Sequence, residues 1–245
     1  MISRFVTRRL LIVSLLLLAA SVHAQVATDE LAKPPEQAKQ FAILSVAGQH
    51  GKAAIWREAD GRWMSRESLL LRGQVWEQDQ SVKLGPDGMP SEVAIRGVTP
   101  EGDAAETFSL NNGVASWKSP VDSGHASYQS AFYVPEGGPN SGGTQLFIET
   151  LLKSPNRTLS LLPGGRAHAE RLTDLKVGAA ANAKTVTAWS VTGLSNPPIP
   201  VWTTAEGEFF GVVSGLAVLP VGYENDLQRL TTAQTKRSPL RARVC

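Results

Sequence analysis

Four histidines and one cysteine are the side chains of this sequence best suited to hold a metal or attack a carbonyl, and their spacing keeps them apart. His23, His50, His125 and His168 form no H-x-H or H-x-x-x-H pair. Metal-assisted hydrolysis needs several donors brought to one point. His50 lies in Gly48-Gln49-His50-Gly51, which reads as a turn, and His125 follows Ser123-Gly124, which reads as a loop. His168 stands between Ala167 and Ala169, where a strand would point it away from both neighbours. Cys245 is the last residue. His50, His125 and His168 read as ordinary surface or loop side chains, and no metal ligand is assigned.

Other chemistries fare no better. A nucleophilic serine elbow of the type G-x-S-x-G is missing, because Val213-Ser214-Gly215 lacks the first glycine. The pairs Gly137-Gly138, Gly142-Gly143 and Gly164-Gly165 lack the lysine and hydroxyl residue of a phosphate loop. They read as loop glycines. No catalytic residue, cofactor-binding residue or cofactor is assigned to this chain.

The elements that would have to position any such residues begin with an export signal. Arg4, Arg8 and Arg9 precede an apolar core, Leu10 to Ala20, and Val22-His23-Ala24 fits a small-x-small cleavage site. Residues 1–24 are therefore expected to be removed, leaving Gln25 first. The apolar core falls short of the ~20 residues that span a bilayer, so no stable membrane span is expected after cleavage. The location expected is periplasmic or extracellular. Losing three arginines turns a formal charge of +2 into −1, and no basic stripe remains to suggest a nucleic-acid partner. A lone cysteine rules out a disulfide framework within the chain.

Residues 25–40 are polar and contain prolines, and read as a linker or a short exposed helix. From Phe41 onward, short apolar stretches alternate with turn dipeptides: Asp60-Gly61, Asp87-Gly88, Glu101-Gly102, Asn112-Gly113 and Glu206-Gly207. Such pairs favour tight hairpins, since both positions tolerate positive φ. Strands are expected at 53–58, 62–70, 91–97, 106–110 and 114–118, then at 165–175, 184–192, 200–203 and 209–213. Between the two groups, residues 144–153 (TQLFIETLLK) read as a helix with a broad apolar face. A terminal helix is expected over 223–235, and residues 236–245 read as a disordered basic tail. The fold class expected is mainly β: a strongly curved antiparallel sheet wrapped around the central helix, in a single domain over 41–235, with a solvated outer face.

The six tryptophans, Trp56, Trp63, Trp76, Trp117, Trp189 and Trp202, imply large apolar contacts. The plain reading is core. The sharper one is an apolar groove or an interdomain surface.

Several runs carry a resemblance. They are Gly61 to Arg66, Leu84 to Gly88, Ile95 to Gly102, Trp117 to Asp122, Leu162 to Ala167 and Phe210 to Val213. Together they resemble the region ahead of the catalytic domain in exported bacterial amidohydrolases of the imidazolonepropionase-like, metal-dependent type, over about residues 41 to 230. The resemblance implies an accessory domain followed by a (β/α)₈ barrel with an H-x-H pair, further histidines, an aspartate and often a modified lysine. Divalent metal would there activate water. None of those ligands has a counterpart in this sequence, and a barrel needs ~250 residues of its own. The expectation is a non-catalytic accessory domain, truncated before its barrel, that hydrolyses nothing alone and has the barrel as its partner. The alternative is a stand-alone exported binding protein whose apolar groove, between the sheet and helix 144–153, takes a lipid or another small amphiphile.

Overall fold

Hairpin turns set the architecture, and in four of the five expected turn pairs the glycine alone has positive φ. At the fifth, Asn112 (φ 49°) and Gly113 (φ 76°) are both positive, the pattern of a type I′ turn that matches strand twist. The structure is a computed structural model and describes residues 28–138 and 140–237. Its strands are β1 (Lys39–Ser45), β2 (Gly48–Arg57), β3 (Trp63–Leu71), β4 (Gln74–Leu84), β5 (Pro90–Thr99), β6 (Gly102–Asp103), β7 (Glu106–Asn111) and β8 (Val114–Lys118). They continue as β9 (Ser123–Ser127), β10 (Phe132–Tyr133), β11 (Thr158–Leu162), β12 (Arg166–Val177), β13 (Lys184–Thr192), β14 (Ile199–Thr204), β15 (Phe209–Val213) and β16 (Ala217–Pro220). Two α-helices accompany them, α1 (Ser141–Lys153) and α2 (Leu227–Arg237).

All the strands join one 16-stranded sheet, in the order β10-β11-β12-β13-β14-β15-β16-β1-β2-β3-β4-β5-β7-β8-β9, with β6 beside β5. The pairing of β1 with β16 brings the first and last strands together, Phe41 opposite Pro220 and Leu44 opposite Ala217. Neighbours are antiparallel except β10 and β11, which run parallel. That exception follows from α1, which carries the chain back between them.

The expected strongly curved sheet wrapped around one helix is overturned. The strand path is open, with β10 and β9 at its two ends, and the sheet is neither closed nor strongly curved. The fold is mixed α and β. Its physical reason lies in the middle strands, which are apolar on both faces. Phe41, Ile43, Val201 and Phe209 join the core under α1, together with Phe147, Ile148 and Leu151 of that helix. Their chain neighbours Ala42, Leu44, Trp202 and Phe210 join a second core with Leu230 of α2. The face expected to be solvated is thus covered by a helix of its own. A third cluster forms where residues 28–38 cross the same outer face: Ala38, Ala54 and Trp56 are buried there. Asp79 ties this crossing segment down, accepting the Ala32 N–H at 2.7 Å and pairing with Arg96.

The segment 25–40, expected as a linker, has a short 3₁₀ turn at Thr28–Glu30 and buries Leu31 to 3% exposure before β1 begins at Lys39. At the other end α2 includes Lys236 and Arg237. The expected signal segment and residues 238–245 lie outside the described residues.

Candidate functional site

The start of α1 concentrates the polar groups of the sheet's inner face. Asn140 caps the helix, its Oδ1 accepting the Gly143 N–H at 2.9 Å, one of the donors a helix start leaves unpaired. The Asn140 amide donates to Ser65 Oγ on β3 at 3.0 Å. Two residues along β3, and so on the same face, Glu67 accepts the Ser141 N–H at 2.6 Å and the Ser141 hydroxyl. A carboxylate at a helix start is favoured by the aligned peptide dipoles. Gly142 packs so closely on Ser65 that a Cβ there would collide with it.

A second carboxyl stands across the cleft. Glu106 on β7 is 5% exposed. It accepts the Tyr133 hydroxyl at 2.5 Å and the Glu136 N–H at 3.1 Å. Tyr133 in turn stacks on Phe108, ring centres 4.4 Å apart. Desolvation pushes the Glu106 carboxyl above the ordinary glutamate value, against the two hydrogen bonds that favour its charge. Glu67 is raised for the same reason, against the pull of Ser141. Tyr133 is pushed upward by burial and by the neighbouring Glu106.

Between these groups lies a cleft of about 560 Å³. Glu67, Glu101, Asp103, Glu106 and Glu136 line it with Trp76, Gln78 and Asn140, and no lysine or arginine does. Carboxyls with raised pKa in a concave site are the usual mark of acid–base chemistry. Here each is also a structural fastener, Glu67 for α1 and Glu106 for the turn after β10. Nothing in the sequence pattern marked them, because they fall singly in separate strands whose neighbours are ordinary. The only hint was polar residues at inward positions of β3 and β7.

The histidines do not converge on this cleft. His50 sits in β2 rather than a turn, its Nε2 2.7 Å from Ser45 Oγ. His125 sits in β9 rather than a loop. His168 is on β12 as expected, its Nδ1 3.2 Å from Thr158 Oγ1, and His23 and Cys245 lie outside the described residues. Among the described residues no three His, Cys, Asp or Glu side chains form a group that could hold a metal ion.

The tryptophans divide. Trp202 is fully buried and Trp56 nearly so, while Trp63, Trp117 and Trp189 pack against the α1-side core from its margin. Trp76 borders the cleft. The face of α1 expected to border an apolar groove is filled: Phe147, Ile148 and Leu151 are fully buried in the core. No helix among the described residues is long and apolar enough to cross a membrane. The chain matches no family model, no curated protein and no solved structure.

Proposed function

We propose that this chain is a non-catalytic accessory domain of an exported metal-dependent hydrolase of the amidohydrolase type. The observation that carries the reading is the use to which the cleft carboxyls are put. Glu67, through Oε1, and Glu106, through both oxygens, accept hydrogen bonds from backbone and hydroxyl donors of their own fold. The runs that resemble the amidohydrolase region support it from another side. Gly61 to Arg66 forms the turn into β3, Leu84 to Gly88 the turn into β5, and Phe210 to Val213 most of β15. Chemistry would then belong to a separate barrel bearing its own metal ligands. The test is the DNA that follows codon 245, read in all frames. A barrel with an H-x-H pair is the expected result, and its absence overturns the reading.

A second reading, an exported binding protein for an amphiphile, is favoured by apolar side chains left open at one end of the sheet. Leu70 is 59% and Val75 44% exposed on adjacent strands. Mass spectrometry of organic extracts of the purified chain tests it, a co-purifying amphiphile being expected and a clean extract counting against it.

A further inference from the structure

The outer face of β2, β3 and β4 carries a groove that neither the cleft nor the cores account for. Residues 28–38 cross one end of this face, and beside them opens a cavity of about 460 Å³ lined by Lys33, Lys52, Arg66 and Glu77 over a floor of Leu31 and Ala54. A second cavity, of about 580 Å³, runs on towards the β3–β4 turn and ends at Leu70 and Val75. The two share Lys52, Ser68 and Glu77, and so adjoin along one face of the sheet. Strand alternation explains the lining. Lys52 on β2 faces Ser68 on β3, which faces Glu77 on β4, and the side chains of paired residues share a face.

The charges in this channel do not cancel. Arg66 and Glu77 form an ion pair, Ser68 also donates to Glu77, and Arg66 donates to the backbone carbonyls of Glu67 and Gln78. Glu77 is thereby neutralised. The Lys33 and Lys52 ammonium groups have no hydrogen bond or ion pair among the described residues, so two cations stand uncompensated beside a channel whose far end exposes Leu70 and Val75 next to Gln49 and His50. Each cavity is of the size that holds a small ligand.

We infer that this channel binds a single-chain fatty carboxylate, its headgroup between Lys33 and Lys52 and its chain laid towards Leu70 and Val75. The inference rests on the amphiphile-binding reading for its ligand class, and goes beyond it in naming the face, the charge and the single chain. It does not depend on the accessory role.

The experiment is calorimetric titration of the purified chain with decanoate, dodecanoate, dodecanol and dodecyltrimethylammonium below their micelle concentrations. Dodecanoate should bind most tightly, and its affinity should exceed that of decanoate by about two- to fourfold per added methylene if the chain is partly buried. Lys52→Glu and the pair K33E/K52E should each weaken dodecanoate about tenfold or more through charge reversal, and leave dodecanol unchanged. Both lysines are exposed and partnerless, so circular dichroism and the unfolding midpoint should not move. Leu70→Ser should remove the gain from decanoate to dodecanoate. Dodecanoate binding that ignores both lysine changes overturns the channel while the amphiphile reading survives. Equal binding of the trimethylammonium compound overturns the charge assignment. No binding of any of the four overturns both readings.

Discussion

Two stretches of the one sheet obey different rules. In the middle, Val201 and Trp202 are adjacent on β14 and both are buried, as are Phe209 and Phe210 on β15. In the arm formed by β3 and β4, Glu67 faces α1 while Arg66 and Ser68 face outward with Glu77. The middle strands have a helix on each side, so every position can be apolar, as in buried parallel sheets. The arm has a helix on one side only at the start of α1 and the crossing segment 28–38 on part of the other. It keeps polar residues on both faces, and both the acidic cleft and the basic channel lie there. Covered sheet gives stability, and half-covered sheet leaves room for ligands.

The sharpest way to break this contrast is to remove one tryptophan from each region. Trp202→Ala should cost about 3–5 kcal/mol, the range for a large side chain lost from a packed core. It would also strand Gln234, whose Oε1 accepts the Trp202 indole N–H at 3.0 Å. Trp76→Ala, at the rim of the cleft, should cost no more than about 1 kcal/mol, as a half-buried ring with little to vacate. Urea unfolding of both variants checks the pair. Equal losses would mean the arm is packed as tightly as the middle.

The crossing segment comes next. Asp79→Ala leaves the Ala32 N–H without its acceptor and the Arg96 guanidinium without its partner, and should cost about 1–3 kcal/mol. The segment should loosen before the sheet does. Limited digestion by a glutamate-specific protease at Glu30 and Glu36 should therefore speed up more than global unfolding, which separates a local tie from a general one.

The middle of the molecule was the easier part to read from sequence. Residues 184–192 alternate so regularly that the expected strand coincides with β13, and TQLFIETLLK lies within α1. β4 was missed, because QVWEQDQSVKL reads as polar. Its inward positions are Gln78 and Gln80, and Asp79 is buried only because Arg96 and Ala32 meet it. The turn before it hides the strand as well: Arg72 and Gly73 have φ of 53° and 79°, a hairpin geometry usually announced by asparagine. The covering of the outer face was missed for a different reason. A run apolar at every position does not say how many faces are buried, and only the docking of α2 decides it. The cleft was illegible because its two buried carboxyls, Glu67 and Glu106, come from strands far apart in sequence.

Smaller effects bear on the cleft. Asn140→Ala should cost about 1 kcal/mol through the lost cap of α1, and Asn140→Asp should recover most of it. Thermal unfolding of the two variants distinguishes the cap from the side chain's contact with Ser65.

The last test concerns protons rather than packing. Glu67 and Glu106 are both raised above the ordinary value of 4.5 by desolvation, so the folded chain holds their protons to higher pH than the unfolded chain does. Stability gained from the protonated carboxyls is complete below that ordinary value and is lost as pH rises through the folded values. The double variant E67Q/E106Q keeps an acceptor oxygen at each site and has no proton to lose. Its stability relative to the natural chain should therefore increase from about pH 5 to about pH 8. Comparing the two proteins at each pH cancels the opposite trend of Asp87, whose carboxyl is held below its usual range by Tyr128, Met89 and Ser130 against desolvation. A difference that stays flat would mean the cleft carboxyls are as well solvated as those on the open surface, and the arm would then hold water where its walls suggest a ligand.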